Sequence, residues 1–489
     1  MTAPSADGIP AGWPIELDPS VRHLDGGRVL VGGAPVRVLR LTDAGARWVA
    51  AATAGGAVAS TPAERALARR LVAAGLAHPR PPAAAGPSLR DVAVVIPVRD
   101  MADGLATTLA AIGPVGEVIV VDDGSLDERA VRAATGGARV LRNDRPLGPA
   151  AARERGWRST TLPFVAFVDA EVDADCDWLA RLLPHFGDDA VGAVAPRVRA
   201  DARRAPAVLA AYEETGSALD LGPRAALVRP GAAVPYVPTA ALVVRRTALE
   251  SVGGFDTELR VGEDVDLTWR LHEEGWWVRY EPAVEVIHPS RSSVAGWLHQ
   301  HVAYGSSAAA LARRHGGAAA ALGGSATSNL SWAAFVLGHP VVAAGIAAAS
   351  VGGVVRSVVR ALGPVPHPTR EAARLVAESQ LRGARHVAEA LRRPWWPFAL
   401  LLAVTKRRSR PALLALLLLP AVLPRRARPR GAAPVPFAIA GLADDVAYGT
   451  GVWLGCIRAR SWTALLPASV LGAVRGAERP SLHPERISR

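Results

Sequence analysis

Apolar and polar positions follow three different rhythms along this chain. Over residues 1–78, short extended runs mix with helical stretches, and Val29–Val31 and Val36–Leu41 predict two strands around the Gly32-Gly33 turn. Thr42 is placed to cap a helix starting near Asp43. Thr61, Pro62 and Glu64 predict a second helix, opened by a capping box and closed near Gly75. The expectation is a small winged-helix-like module, followed by a linker rich in proline and alanine over 79–89. From 90 to 315, apolar runs of strand length alternate with amphipathic helices. Val92–Ile96, Val118–Val121 and Phe164–Val168 read as buried strands, and Leu105, Leu109 and Ile112 share one helix face. Asp177 is placed to cap a helix over Trp178–Phe186, and Val284–Ile287 reads as a short late strand. This alternation predicts an α/β fold with a Rossmann-like, mostly parallel sheet.

From 316 to 489 the chain is rich in alanine and leucine, with little strand signal. Residues 316–355 carry no Asp, Glu, Lys or Arg. Trp332–Val355 therefore approaches the run of about 20 apolar residues that a bilayer crossing needs, although His339-Pro340 interrupts it. Pro411–Pro424 is shorter and suits an interfacial or re-entrant helix. Lys406, Arg407, Arg408 and Arg410 precede it, Arg425, Arg426, Arg428 and Arg430 follow it, and Trp395 and Trp396 lie upstream. Such flanks suit the cytoplasmic face of an anionic membrane, with peripheral attachment and crossing both open. A buried helical bundle with solvated arginines accounts for the same residues.

The formal net charge of +12 changes this picture little. Lysine occurs only at Lys406, while arginine, alanine, glycine and proline abound, which is the mark of a GC-rich coding background. The basic segments are not interleaved with stacking aromatics, so nucleic acid is not an expected partner. Cys176 and Cys456 lie far apart and offer neither a disulfide framework nor a metal-ligand spacing. The N-terminus lacks a signal-peptide pattern, so a cytoplasmic start is expected.

Candidate chemistry sits at strand ends of the middle region. Asp122-Asp123 follow the run VIVV, Asp169 and Glu171 follow FVAFV, Glu263-Asp264 follow the GGFD turn, and His288 follows a short apolar run. A parallel sheet delivers such positions into one cleft. Asp122 and Asp123 can accept hydrogen bonds from a base or a ribose, although Asp-Gly-Ser also opens helices. Asp169 and Glu171 can share a divalent cation that also binds two phosphates. A surface acidic loop running on through Asp173, Asp175 and Asp177 is the alternative. Asp264 is the candidate base for an acceptor hydroxyl, with Glu263 orienting it and Arg270 placed to pair with them. A helix dipole alone would also favour two acids there. His288 can complete a metal's coordination or be purely structural. Together these groups suit transfer of a sugar from a nucleoside diphosphate.

The ordered segments VIPVRD (95–100), VVDDGS (120–125), RPLGPAAARERG (145–156), FVDAEVD (167–173), VPTAALVVRRTALESVGGFD (237–256) and GEDVDLTWR (262–270) resemble the inverting family 2 glycosyltransferases of the GT-A fold. The resemblance implies that Pro97, Asp122, Asp123 and Arg153 serve the nucleotide-sugar site. It also implies that Asp169, Glu171 and His288 hold Mn²⁺ or Mg²⁺, and that Asp264 is the base with Glu263 beside it. Two departures stand out: Glu171 replaces the usual second aspartate, and Glu154 stands where an asparagine often follows the Ala-Arg pair.

RVLVGGAPVRVLRLTDAGARWV, ARRLVAAGLAHPRP, YEETGSALDLGPRAALVRPG (212–231) and YVPTAALVVRR (236–246) are similar, more closely, to the glycosyltransferases of the mycofactocin system. That likeness implies a UDP-glucose donor and premycofactocin, or its glycosylated forms, as the acceptor of a short β-1,4-glucan. It also likens the N-terminal module to small peptide-recognition domains. Two other readings stay open: a membrane-associated transferase for a lipid-linked or cell-wall glycan, and a non-catalytic peptide-binding scaffold. A processive synthase fits less well, because Gln300-His301 and Tyr304-Gly305 stand where a Gln/Arg-Arg-Trp type motif would be.

Overall fold

The computed structural model of the chain describes residues 8–55, 58–363, 365–422, 429 and 432–475. It forms two compact units, one reaching Val294 and one starting at Ala295.

The first unit opens with β1 (Trp13–Leu17), β2 (Arg22–Leu24), β3 (Val29–Gly32), β4 (Arg37–Arg40), α1 (Asp43–Thr53), β5 (Val58–Ala59), α2 (Pro62–Ala73) and β6 (Ala77–Pro79). β2, β3 and β4 form an antiparallel sheet, while β1 pairs with β5 and β6. Both helices start where a side chain replaces the missing carbonyl acceptors. Thr42 accepts from the Gly45 amide, and Thr61 and Glu64 close a capping box in both directions. Leu71 and Val72 on α2 are fully buried among Ile9, Trp13, Leu30 and Trp48, each worth about 1.5–3 kcal/mol by burial. The expected linker is tied in: it begins as β6, and the Arg80 amide donates to the Pro14 carbonyl at 2.9 Å.

The chain continues through β7 (Val92–Val98), α3 (Ala102–Ala111), β8 (Glu117–Asp122), α4 (Glu128–Ala134), β9 (Arg139–Arg142), α5 (Pro149–Arg158), β10 (Phe164–Val168), β11 (Asp173–Ala174) and α6 (Trp178–Leu182). It ends with β12 (Val191–Asp201), α7 (Ala207–Gly216), β13 (Ala226–Val228), β14 (Ala241–Arg245), α8 (Arg246–Ser251), α9 (Glu263–Glu273) and β15 (Trp277–Pro289). The strands lie in the order β11-β15-β12-β14-β10-β7-β8-β9, with β13 paired to β15. Alternate residues feed two cores, one on each face: Phe164, Ala166 and Val168 point one way, Val165 and Phe167 the other. This explains why the strands read as continuous apolar runs.

Three expectations change. The sheet is mixed rather than mostly parallel. β10–β14, β12–β14, β11–β15 and β13–β15 are antiparallel, against parallel β7–β8, β8–β9, β7–β10 and β12–β15. Apolar runs report burial of both faces, not strand direction. Asp177 makes no capping bond, and α6 gives way after Leu182 to a 3₁₀ turn over Leu183–Gly187, where Pro184 cannot supply an amide. The late strand is one long element from Trp277 to Pro289.

β15 is also where the module meets the sheet. Arg69 of α2 lies over the Trp277 ring, 4.3 Å from its centroid, and bonds Asp188 at 2.9 Å. Arg80 reaches both Glu16 in β1 and Glu281 in β15.

The second unit is helical: α10 (Val294–Ser306), α11 (Ala308–His315), α12 (Ala326–Val336), α13 (Pro340–Leu362), α14 (Pro368–Arg392), α15 (Trp396–Thr405), α16 (Arg410–Val422), α17 (Pro434–Ala459) and α18 (Ala468–Arg475). Residues 295–315 belong here rather than with the sheet, because α10 and α11 pack on α17. A Cβ at Gly305 would overlap the Tyr448 carbonyl, and Ala309 and Ala312 share a core with Val452 and Cys456. The left-handed Gly338, with φ of 83°, closes α12 and His339-Pro340 opens α13, so the expected apolar stretch at 332–355 resolves into the end of α12 and most of α13. Among the described residues, α13 alone is long and apolar enough to cross a membrane, with 23 residues, a mean hydropathy of 1.7 and 6% of that stretch buried. The basic flank Arg425, Arg426, Arg428 and Arg430 lies outside the described residues.

Candidate active site

Chain order builds the cleft. From β7 the chain steps through β8 to β9 on one side, then returns to place β10 on the other side of β7. The carboxyl ends of β7 and β10 therefore flank a switch point, where open α/β sheets form a crevice. Asp169 follows β10 there, and β8 ends at Asp122.

Asp122 and Asp123, expected to face a nucleoside, spend their oxygens on the protein's own donors. Asp123 accepts from Asn143 Nδ2 at 2.7 Å, the Leu147 amide at 2.9 Å and the Gly148 amide at 2.8 Å. Asp122 accepts from the Ser125 amide at 2.9 Å and pairs with Arg142. Both are buried, so they shape the loops around the cleft and deliver α5. Pro97 sits half-buried within β7, opposite Val121. Sequence reasoning passed over Asp100, three residues further on. It takes a left-handed backbone, with φ of 56°, a conformation uncommon for a side-chain-bearing residue and frequent at functional sites. Asp100 Oδ1 accepts from the Leu126 amide at 2.7 Å, and its own amide donates to Ser125 Oγ at 2.9 Å. Its place directly after the VIPV strand was the available signal.

Arg153, on α5, ties the two acidic clusters together. Nη2 donates to Asp169 Oδ1 at 2.7 Å and Nη1 donates to Glu263 Oε1 at 2.8 Å. Gly262 takes the left-handed backbone before α9, with φ of 86°, and Glu263 and Asp264 open the helix. Asp264 Oδ1 accepts from the Val265 amide at 2.8 Å. Burial in the surrounding fold and the neighbouring Glu263 carboxylate push the pKa of Asp264 up to about 7, against the pull of that amide and of Arg153. The residue as a whole keeps partial solvent access. Arg270 does not join this pair. It bonds Asp266 at 2.8 Å and the Val252 and Gly254 carbonyls, bracing the GGFD turn instead. Glu154 braces the same turn by accepting from the Phe255 amide at 2.7 Å.

Of the three expected metal ligands, two face each other. His288 Nε2 lies 3.9 Å from Asp169 Oδ2. His288 Nδ1 lies 3.1 Å from the Pro289 carbonyl, which can only accept, so in the neutral ring Nε2 presents a lone pair. A lone pair facing a carboxylate oxygen suits a cation between them, and two ligands each about 2.0–2.2 Å from one ion can span this gap. Glu171 stands apart. Residues 169–172 form a turn, closed by the Val172 amide on the Asp169 carbonyl and pinned by Thr108 Oγ1. Positions 169 and 171 therefore diverge as they would not in an extended strand. The Glu171 stem lies against Gly104 of α3. Among the described residues, no three His, Cys, Asp or Glu side chains form a ready metal group.

Comparison with known proteins adds the wider context. Residues 93–251 match the family model described as glycosyl transferase family 2. The pre-mycofactocin glycosyltransferases of two Mycobacterium tuberculosis strains are each 38% identical to this chain over 475 residues, covering 95% of it and 99% of their own length. Human polypeptide N-acetylgalactosaminyltransferase 9 is 26% identical over 202 residues, 36% of this chain and 33% of its own. Among solved structures, the mannosyltransferase PcManGT of Pyrobaculum calidifontis, in complex with GDP-Man and Mn²⁺, is 19% identical with a TM-score of 0.37, covering 81% of this chain and 88% of that one.

Proposed function

Because the chain belongs to the pre-mycofactocin glycosyltransferases, with a family 2 domain of GT-A type, we propose that it transfers glucose from UDP-glucose to premycofactocin and extends it as a short β-1,4-glucan. The observation that supports the chemistry of this reading is the link Asp169–Arg153–Glu263, which joins the helix of a candidate base to a carboxylate–imidazole pair suited to a cation. The acceptor rests on the similarity to the pre-mycofactocin glycosyltransferases.

In the proposed reaction, Asp264 accepts the proton of the acceptor hydroxyl as its oxygen attacks the anomeric carbon. The bond from that carbon to the diphosphate oxygen breaks on the opposite face, so the centre inverts and UDP departs. A divalent cation, Mn²⁺ or Mg²⁺, held by Asp169 and His288 would neutralise the charge developing on the diphosphate. Burial, together with Glu263 fixed by Arg153, opposes ionisation of Asp264 and keeps it a base of near-neutral strength. We further propose that the helical unit rests on the cytoplasmic face of the cell membrane. Val341 and Val342 on α13, Leu400 and Leu401 on α15 and Leu414 and Leu418 on α16 are exposed there, beside Arg407, Arg408 and Arg410.

Mass spectrometry of the purified protein with UDP-glucose, Mn²⁺ and premycofactocin tests the reaction. A ladder of added hexoses, absent with Asp264→Asn, is the expected result. UDP release only in the presence of a lipid-linked glycan, with premycofactocin unmodified, would keep the chemistry and overturn the acceptor.

A further inference from the structure

Arg153, expected at the donor site, has its outer nitrogens taken by the protein's own carboxylates. Its residue surface is 4% exposed. Its two outer nitrogens are bonded to carboxylates on separate elements, the loop after β10 and the start of α9. We propose, resting on the transferase reading above, that Arg153 is a positioning residue. It bridges the cation-side carboxylate and the helix that carries the base, and it does not grip the donor itself.

The geometry explains why arginine is needed. A planar guanidinium can hold two carboxylates at once in fixed directions, whereas a lysine ammonium offers one mobile point charge. Holding Asp169 by Oδ1 keeps Oδ2 turned toward His288 Nε2, 3.9 Å away. Holding Glu263 by Oε1 fixes the first residue of α9, and with it the position of Asp264. The bridge also compensates Glu263, a carboxylate 8% exposed that would otherwise stand unpaired beside Asp264. Arg153 thus acts through Asp169 on one side of the reacting bond and through Glu263 on the other.

The test uses the full chain with Arg153→Met, Arg153→Lys and Glu263→Gln. Mn²⁺ binding is measured without substrates, UDP binding without Mn²⁺, and kcat and KM in the complete reaction. In Arg153→Met, Mn²⁺ affinity is expected to fall about 10- to 100-fold, as for other groups that orient a ligand. UDP affinity without Mn²⁺ and the KM for UDP-glucose should stay within about threefold while kcat falls. Arg153→Lys should recover little of the loss. The Arg153→Met/Glu263→Gln pair should lose less in kcat than the product of the single losses, because both remove the same bridge. Collapse of metal-free UDP binding with Mn²⁺ affinity intact would overturn the proposal and make Arg153 a donor ligand. If Arg153→Met loses its melting transition, Glu263→Gln decides: unchanged kcat with unchanged Mn²⁺ affinity overturns the bridge. A wild-type chain that binds Mn²⁺ and UDP but moves no hexose refutes the reaction, and the two binding measurements still judge the bridge.

Discussion

Asp264 is a carboxyl group held where ionisation is costly, and that cost is readable in solution. Its pKa, pushed up to about 7, predicts that kcat rises with pH through about 7 and levels above it; a flat profile between pH 5.5 and 8.5 would remove Asp264 as the base. Asp264→Asn should lower kcat by about 10²- to 10⁴-fold or more, the range usual for a general base, while UDP-sugar binding is kept. The same shift has a stability consequence with a definite sign. A carboxyl whose folded pKa is raised stabilises the fold at low pH and loses that contribution as pH rises through about 7. The melting temperature of Asp264→Asn relative to wild type should therefore climb between pH 5 and pH 8, followed by calorimetry. The expected ligands can be ranked in the same way. Asp169 and His288 face each other and Glu171 does not, so Asp169→Ala and His288→Ala should each weaken Mn²⁺ binding more than Glu171→Ala does. Equal effects in a Mn²⁺ titration would place Glu171 in the coordination shell.

At the scale of elements, the turn before α9 shows how packing serves the site. Gly254 has φ of 78°, and a Cβ there would run into the Glu154 carboxylate. Glu154 cannot swing away without losing the hydrogen bonds it accepts from the Phe255 amide at 2.7 Å and Trp157 Nε1 at 2.6 Å. Gly254→Ala should therefore destabilise the chain by about 2 kcal/mol or more, combining backbone strain with a clash; a melting temperature unchanged within error would contradict this. Glu154, a departure from the family pattern in the sequence, thus serves as the anchor of the turn. Local signals were legible where one side chain decides the outcome: the Thr42 and Thr61 caps, the apolar strands ending at Asp122 and before Asp169, and the acidic start of α9. Signals that depend on distant partners were not. Nothing near Arg153 in sequence reveals Glu263, 110 positions away, and nothing in FVDAEVD reveals the turn that parts Asp169 from Glu171. Strand direction was illegible for the same reason, since an apolar run is set by its covered faces.

For the whole molecule, composition marked an alanine- and leucine-rich region from 316, whereas the helical unit starts at Ala295, and it left the surroundings of that unit open. α13 gives the question a physical form. Val341 is 83% exposed and Val342 55% exposed, on a helix that covers little of its apolar surface with protein. Leaving so long an apolar helix in water is unfavourable at about 25 cal/mol per Å² of apolar surface, which favours a lipid or protein cover. Arg356 and Arg360 on α13 and Arg407, Arg408 and Arg410 around α16 supply the positive charge that the proposed anionic headgroup layer would meet. The full chain should therefore sediment with vesicles containing phosphatidylglycerol and much less with neutral vesicles. Replacing both Val341 and Val342 by Asp should release it from the vesicles without lowering its melting temperature, since neither side chain is buried in the fold. Release by high salt alone would mean that the arginines hold the surface and α13 stays outside the acyl layer. Binding that survives salt but not the two aspartates would place α13 within it. Equal sedimentation of wild type and variant under every condition would exclude α13 from the contact.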